Sequence, residues 1–494
     1  MGRHGVRGTI KPSGRALSGV AFGVVAAYGL AFAETASVYE TDLAAFFAEL
    51  DATYPFFDLK GIREDWAQAK GELTKKVKVC ESGTEFLGIV VEGIRGLHDS
   101  HVWLRDAKAE IPPLPKKYYA GVSFMPATQN RVVVMASAEK YAGTLATGVL
   151  VTQIDGEDAR ACLEKRAKEA WATSFASSPQ RTRLYEFRIP LSGASGERHT
   201  ITYRAEGEER EVTVTCDVEA RGWPHVYHLP EGLVRVGRSS WHTKLDDGVG
   251  YMYLRRVDQS AEPGMRQALE THADAKGWIV DLRGNGGGGY GEGLLAQLAR
   301  LPRPVAVLID AGCMSAGETL ARDLRRIAGA RLFGSRTAGS SSAKRTWAFP
   351  SGIASVSLPV RSRWRNDGQP IEYNGIEPDV VVEAVPEEVA LGQNSAICRA
   401  QEYLHEGPDR RKRRDRQLLA SCVQGSLRAS PGGAGLRLWC RHAPADSPLI
   451  YIAHAVALRS QGFGSRVQGR GSYVGHDSAG RSRRVSLVCQ GRQE

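Results

Sequence analysis

The chain has 494 residues, of which 42% are hydrophobic and 24% charged, and a formal net charge of +10. This length allows two or three domains with a large core, and the composition is ordinary for a globular protein. Residues 399–494 hold 17 Lys and Arg against 7 Asp and Glu, while the preceding 398 residues hold 48 of each. The main body is therefore neutral, and we expect no nucleic acid to bind the core.

The N-terminus has the three parts of a secretory signal. A basic segment is followed by an apolar run rich in small residues, which ends at Ala31-Phe32-Ala33, an A-x-A cleavage pattern. This pattern predicts a signal peptide over residues 1–33 and an exported protein, periplasmic or extracellular. The alternative is a membrane anchor, since the run is near the lower limit for a span. We expect no stable membrane span after signal cleavage.

Four further segments follow in chain order. Residues 34–117 show apolar residues at helical spacing and predict an N-terminal helical domain. Residues 118–217 show strand-like alternation around one helix, typical of a small α+β domain. Residues 218–390 alternate strands and helices, which predicts an α/β core with its site at the carboxyl ends of the strands. Residues 391–494 read as a basic, disordered tail.

The eight cysteines are widely spaced and include no C-x-x-C pair. This spacing indicates neither a zinc ribbon nor a redox pair, and it leaves the disulfide pairing open.

Two strands of the core lead directly into distinctive turns. The stretch "DLRGNGGGG" (281–289) allows backbone N–H groups to approach a ligand closely, but it lacks the spacing of a dinucleotide or P-loop motif. The stretch "AGCMSAGETLARDL" (311–324) places Ser315 at the start of a helix. Ser315 and Glu318 form a capping-box pattern, and a serine in this position is also suited to nucleophilic attack. The sequence allows both interpretations.

Taken together, the motifs resemble peptidase family S41, the C-terminal-processing and tricorn-like serine peptidases. "DLRGNGGG", "CMSAGE" and "IEYNGIEPDVVV" are similar to the successive signatures of the core, and "YPFFDLKGIREDW" and "GLHDSHVWL" to those of the helical region. The segment "GVLVTQIDGEDA" resembles part of a PDZ-like domain. The resemblance implies an α/β fold with a crotonase/ClpP-like core, an N-terminal helical domain and a PDZ-like α+β domain.

Two catalytic forms exist in that family, so the general base is assigned by position. The processing branch uses a lysine where this chain has Ser340, and Lys344 is the nearest alternative base. The tricorn-like branch uses a histidine from L-x-D-x-H and a glutamate from an IE-N-G segment, which correspond to His101 and Glu372. The resemblance therefore implies a Ser315–His101–Glu372 triad, since a serine nucleophile needs a base and the base an orienting carboxylate.

The resemblance also assigns a role to two further residues, and two others are alternatives to members of the triad. The N–H groups of Gly287 and Ala316 would form the oxyanion hole, and no metal or cofactor is expected. His98 is the rival of His101, and Glu377 is the rival of Glu372.

The resulting hypothesis is an exported serine endopeptidase that acts on proteins or peptides through an acyl-enzyme. The sequence leaves homo-oligomerisation open. A second hypothesis is a catalytically inactive S41-fold protein that binds peptides or hydrophobic ligands. A third is acyl-CoA chemistry of the crotonase type, which the export signal disfavours.

Overall fold

The computed structural model describes residues 37–220, 227–360 and 365–406, together with five short strands between residues 427 and 486. The fold is mixed α/β. The predicted signal peptide at residues 1–33 lies outside the described residues, as does most of the chain after residue 406. Among the described residues, no helix is both long enough and apolar enough to cross a membrane.

The N-terminal segment forms four helices, as its apolar spacing predicts. Their bounds are α1 (Val38–Thr53), α2 (Phe57–Lys60), α3 (Arg63–Val77) and α4 (Gly83–Arg95). A capping box starts α1: the Ser37 N–H donates to Glu40 Oε2 (2.7 Å), and the Glu40 N–H donates to Ser37 Oγ (3.1 Å). Helix α2 ends at Gly61, whose φ of +66° suits a residue without Cβ.

These helices share a hydrophobic core with a hairpin far away in the sequence. Phe46 and Phe86 pack with Phe349 and Val356, and all four are buried. The hairpin consists of β16 (Lys344–Ala348) and β17 (Ser355–Pro359), and β1 (Trp103–Arg105) pairs antiparallel with β17. The segment that contains His101 is therefore attached to the core by the strand that follows it.

The second segment is an antiparallel sheet with helices packed on it. The sheet has the order β3-β4-β5-β7-β8, and β6 pairs with β5. Its core includes Phe124, Val134, Leu163 and Phe187. Its elements are β2 (Tyr118–Tyr119), β3 (Val122–Ala127), β4 (Arg131–Ser137), α5 (Glu139–Ala142), β5 (Leu150–Ile154), β6 (Glu157–Asp158), α6 (Ala159–Trp171), α7 (Pro179–Arg188), β7 (Arg198–Ala205), β8 (Glu208–Thr215) and β9 (Val218–Glu219).

The third segment is built on a seven-stranded sheet with the order β10-β11-β12-β13-β14-β15-β20. Strands β12 to β15 and β20 run parallel, and β10 and β11 are antiparallel. The strands are β10 (Val234–Val236), β11 (Ser240–Lys244), β12 (Gly250–Leu254), β13 (Trp278–Asp281), β14 (Val305–Ile309), β15 (Arg331–Gly334) and β20 (Val380–Val381). The helices are α8 (Ala261–Thr271), α9 (Glu292–Arg300), α10 (Ala316–Asp323) with a π-helical turn (Leu324–Ala328), α11 (Pro386–Ala390) and α12 (Ser395–His405).

Both faces of this sheet are covered by helices. Because side chains alternate along a strand, Val280 and Val307 face the core formed with α8, α9 and α10. Ile279 and Leu308 face the opposite side, where α12 packs. Short strands β18 (Arg365–Asn366) and β19 (Gln369–Pro370) form a hairpin outside the sheet.

Helix α12 corrects the predicted start of the tail at residue 391. Ile397, Ala400 and Leu404 are buried against the sheet, and their spacing of three and four residues places them on one helical face. The core therefore extends to at least residue 405. Beyond it, the backbone forms β21 (Leu427–Ala429), β22 (Leu436–Leu438), β23 (Gly464–Arg466), β24 (Ser472–His476) and β25 (Ser482–Ser486).

Candidate active site

Ser315 lies on a tight turn between β14 and α10, at the carboxyl edge of the parallel sheet. Its φ of +55° is unusual for a residue with a Cβ, and such a conformation costs on the order of 1–3 kcal/mol. Its N–H donates to the Ser340 carbonyl (2.7 Å) and to Glu318 Oε2 (3.1 Å). The side chain is half-buried. A strained serine between a strand and a helix is typical of a nucleophile presented to substrate.

The glycine loop lies directly against this turn. An ideal Cβ on Gly287, whose φ is +76°, would be 2.7 Å from Ser315 Cβ, so only glycine fits there. The Gly287 N–H donates to Asn285 Oδ1 (2.9 Å). The N–H of Ala316, the first residue of α10, donates to no group among the described residues. Of the two predicted oxyanion donors, the Ala316 N–H is thus free among the described residues, whereas the Gly287 N–H is already hydrogen-bonded.

His101 is buried in the loop between α4 and β1. Its N–H donates to Asp99 Oδ1 (2.8 Å), and its Nδ1 is 3.3 Å from Ser340 Oγ. Burial lowers the pKa of His101 to about 4, against the raising effect of the nearby Asp99 charge. The imidazole is therefore neutral near pH 7, as a general base must be.

Glu372 is completely buried near the histidine. Its Oε2 accepts a hydrogen bond from the Ser341 N–H (2.8 Å). Burial and the neighbouring Asp99 charge raise the pKa of Glu372 above its usual range. One side-chain ligand atom from each of Asp99, His101 and Glu372 lies within 4.8 Å of the other two.

Lys60, at the end of α2, completes this cluster. Its Nζ is 3.1 Å from Glu372 Oε1 and 3.2 Å from Asp99 Oδ2, and all three side chains are fully buried. It also donates to the His98 carbonyl (2.7 Å). Because the ammonium already sits between both carboxylates, we interpret the cluster as an ion-pair network rather than a metal site. Lys60 lies within the motif "YPFFDLKGIREDW", but no sequence pattern marked it as part of a site.

One short loop connects the three predicted triad residues. The Ser340 carbonyl accepts from Ser315, and Ser340 Oγ contacts both His101 and the Ser100 hydroxyl. Ser341 donates its N–H to Glu372. Three residues separated by up to 271 positions in the chain therefore meet around residues 340–341. In the sequence, position 340 is notable only because it holds a serine where the processing branch has its lysine.

Glu318 holds this loop next to the nucleophile. Its carboxylate is buried and accepts from Thr337 Oγ1 (2.6 Å), the Gly339 N–H (2.8 Å) and the Ser340 N–H (2.9 Å), besides that of Ser315. Burial raises its pKa to about 7, although all four hydrogen bonds act in the opposite direction. The capping-box pattern identified Glu318, but not its contacts with the loop.

The rival residues make other contacts, although the charge of Lys344 is near enough to lower the pKa of His101. Lys344 is on β16 with its Nζ over the Trp103 ring, 4.9 Å from the centroid, and burial lowers the pKa of its ammonium. The His98 ring stacks on Trp171, and its Nδ1 is 3.0 Å from the Ser174 carbonyl. Glu377 forms an ion pair with Arg336.

Comparison with known proteins agrees with the resemblance of the motifs. Residues 292–382 match the profile described as Peptidase family S41. Carboxy-terminal processing protease CtpA of Bacillus subtilis (strain 168) is 26% identical over 167 residues, which are 28% of this chain and 36% of that protein. Residues 292–382 thus resemble peptidase family S41. Both matches support the predicted resemblance to serine peptidases of family S41, and the chain spans only about a third of the length of this curated relative.

Solved structures similar to this chain include mature CPAF, the photosystem II D1 C-terminal processing protease and the tricorn protease. Mature CPAF is 16% identical, with 74% of this chain and 95% of that chain covered and a TM-score of 0.48. The D1 protease is 17% identical, with 74% and 97% covered and a TM-score of 0.35. Tricorn is 17% identical, with 75% and 37% covered and a TM-score of 0.36.

Proposed function

We propose that this chain is an exported serine endopeptidase that hydrolyses peptide bonds through an acyl-enzyme on Ser315. His101 is the general base, and Glu372 stabilises the imidazolium that forms. The observation that carries the proposal is the loop at residues 340–341, which contacts Ser315, His101 and Glu372 together. Such convergence fits a catalytic unit better than three unrelated surface residues.

The chemistry follows from the protonation states of Ser315, His101 and Glu372. Neutral His101 takes the proton of the Ser315 hydroxyl as its oxygen attacks the scissile carbonyl, and then gives that proton to the leaving amine. Water, deprotonated by the same histidine, then attacks the ester, and the proton returns to Ser315. The imidazolium is buried in each step, so it needs a nearby negative charge, which Glu372 or Asp99 supplies.

The developing oxyanion is stabilised at the start of α10. The free N–H of Ala316 and the positive end of the helix dipole favour negative charge at this position. Gly287 is the second donor, and its N–H has to exchange Asn285 Oδ1 for the substrate oxygen. Removal of one such donor costs roughly 100- to 1000-fold in turnover.

The domain assignment is part of the same proposal. We assign a crotonase/ClpP-like core to the third segment, a PDZ-like domain to residues 118–217 and a helical domain to residues 34–117. Strand β3 is at the edge of its sheet and is bridged to Ala384 only at its last residue, Ala127, so an extended protein or peptide substrate would add along the rest of this edge. The N-terminal signal supports periplasmic or extracellular localisation.

The test is fluorophosphonate labelling and casein hydrolysis by the full chain and three variants. We expect Ser315→Ala and His101→Ala to abolish both reactions and Lys344→Ala to retain them. Loss with Lys344→Ala but not with His101→Ala would instead indicate a Ser–Lys dyad. A folded wild-type protein that is not labelled would contradict the proposal and favour the inactive, peptide-binding alternative.

A further inference from the structure

The loop between α6 and α7 of the second segment lies against the candidate active site. Its Ser178 Oγ donates to the Ala338 carbonyl (2.5 Å), and the Ser174 carbonyl is 3.0 Å from His98 Nδ1. Ser177, which lies between these two loop residues, is completely buried. The second segment therefore supplies a buried hydroxyl to the site.

This hydroxyl belongs to a chain of hydrogen bonds that leads from Glu372 to His101. Ser177 Oγ accepts from the Ser100 N–H (3.3 Å) and is 3.3 Å from Ser100 Oγ. Ser100 Oγ is hydrogen-bonded to Ser340 Oγ, which is 3.3 Å from His101 Nδ1. At the other end of the chain, burial raises the pKa of Glu372, and a hydrogen bond from Ser177 acts against this rise. Three serine hydroxyls thus connect the carboxylate with the imidazole.

The direction of each hydrogen bond follows from the number of protons. An ionised carboxylate only accepts, so the single hydroxyl proton of Ser177 is directed at Glu372. Ser177 then accepts from the Ser100 hydroxyl, and Ser100 accepts from the Ser340 hydroxyl. Ser340 in turn accepts from an N–H group at Nδ1 of His101. With its proton on Nδ1, the neutral imidazole keeps the lone pair of Nε2 for the proton of the nucleophile.

We propose that Ser177 is a positioning residue that fixes the tautomer of His101 through the two intervening hydroxyls. The inference rests on the proposed function, because that function makes His101 the general base. Without the Ser177 hydroxyl, the remaining two hydroxyls are free to reverse, so that Ser340 donates to Nδ1. The imidazole then carries its proton on Nε2 and cannot take one from Ser315.

The first test measures the tautomer directly, by ¹⁵N NMR of the histidine rings at alkaline pH, where Glu372 is ionised. The His101 signals are assigned by their loss in His101→Ala. We expect the proton of His101 on Nδ1 in the wild type and a shift of the population toward the Nε2 tautomer in Ser177→Ala. A residue that only fills space would not cause this shift, and the measurement does not depend on turnover.

The second test measures casein hydrolysis. We expect Ser177→Ala to lower kcat by up to about 100-fold, the cost of a slightly misplaced catalytic group, and to leave KM unchanged. Ser177→Cys keeps nearly the same volume but has a weak S–H donor, so it should resemble Ser177→Ala. Ser240→Ala is the matched control, because this buried hydroxyl donates to the Ser260 carbonyl (3.0 Å) outside the site. Thermal unfolding checks that each variant folds.

The outcomes separate the inference from the function on which it rests. A wild type that is labelled by fluorophosphonate but has the His101 proton on Nε2 would overturn the inference alone. A folded Ser177→Cys variant with the tautomer and kcat of the wild type would also overturn it, because volume would then be sufficient. A folded wild type that is not labelled would overturn the proposed function, and the role of Ser177 in catalysis with it.

Discussion

At the scale of single residues, the buried ammonium of Lys60 decides the charge of the catalytic cluster. Asp99 and Glu372 would otherwise be two like charges in a buried site, and both lie within 3.2 Å of its Nζ. Burial and Asp99 raise the pKa of Glu372, while Lys60 lowers it. Lys60 is thus a positioning residue whose charge partly offsets the rise in the pKa of Glu372.

The first prediction concerns Lys60→Met. Without the ammonium, the pKa of Glu372 rises further, so the carboxylate needed by His101 forms only at higher pH. We expect the rising limb of the pH–rate profile for casein hydrolysis to move to higher pH. Lys70→Met, which removes an exposed ion pair with Asp51, is the control. An unchanged profile in a folded Lys60→Met variant would contradict this role.

The second prediction concerns the contact between the glycine loop and the nucleophile. Alanine at position 287 has to adopt a φ of +76° and would place its Cβ 2.7 Å from that of Ser315. We expect Gly287→Ala to reduce fluorophosphonate labelling at least about 100-fold, the effect of losing an oxyanion donor. Gly289→Ala is the control, because its Cβ would meet nothing within 4 Å. Equal labelling of the two variants would show that the contact is unimportant.

At the scale of elements, the first turn of α10 and the loop at residues 337–340 form one unit through Glu318. Its carboxylate accepts from the N–H groups of Ser315, Gly339 and Ser340 and from the Thr337 hydroxyl, so four donors are directed at one buried side chain. Oε2 accepts from the N–H groups of Ser315 and Ser340. In Glu318→Gln, the side-chain NH₂ group would be a donor placed opposite these two donors. The strained conformation of Ser315 is therefore held by an acceptor that only a carboxylate provides.

The third prediction is the pH dependence of this unit. The pKa of Glu318 is raised from 4.5 to about 7 in the folded protein. Its contribution to stability is fully present below pH 4.5 and is lost as the pH rises through 7. The difference in unfolding free energy between wild type and Glu318→Gln should therefore fall by about 3 kcal/mol over this range.

Chemical denaturation at several pH values measures that difference, with Glu292→Gln on the exposed first turn of α9 as the control. The hydrogen bonds lost in Glu318→Gln change its unfolding free energy by the same amount at every pH. They therefore do not alter how the difference from wild type changes with pH. A difference that stays constant between pH 4.5 and 7 would argue against a raised pKa.

At the scale of the whole molecule, the proposed catalytic residues belong to different segments that share one core. His101 follows α4, whereas the hairpin of β16 and β17 follows the loop that contacts Ser315. Phe46 and Phe86 from the helices pack on Phe349 in this hairpin, with ring centroids 5.8 and 5.4 Å away. The position of His101 relative to Ser315 therefore depends on this shared packing.

The fourth prediction compares two buried phenylalanines. Phe349→Ala and Phe187→Ala each remove a buried ring and should cost about 3–5 kcal/mol. Only Phe349 packs in the core that positions His101, since Phe187 belongs to the second segment. Well below the unfolding temperature, we expect fluorophosphonate labelling to slow much more in Phe349→Ala. Equal rates in the two variants would show that His101 is held independently of this core.

The main elements and the candidate triad could be predicted from local information. Strands β13 and β14 are continuous apolar runs followed by turn residues, and α6 has its apolar residues at helical spacing. Ser315, His101 and Glu372 stand in short motifs whose order along the chain is itself informative. The sequence alone thus indicated the resemblance to peptidase family S41, the mixed α/β fold and the candidate site residues.

Only the tertiary structure decided how these residues are joined. Lys60 neutralises carboxylates 39 and 312 positions away, and Ser340 reaches a histidine 239 positions away, so no local pattern can reveal either contact. Arg181 of the second segment donates to the Ala311 carbonyl of the third only because a helix of one segment faces the strand ends of another. Burial also sets the proton affinities of His101 and Glu318, and burial is a property of the packed chain rather than of any motif.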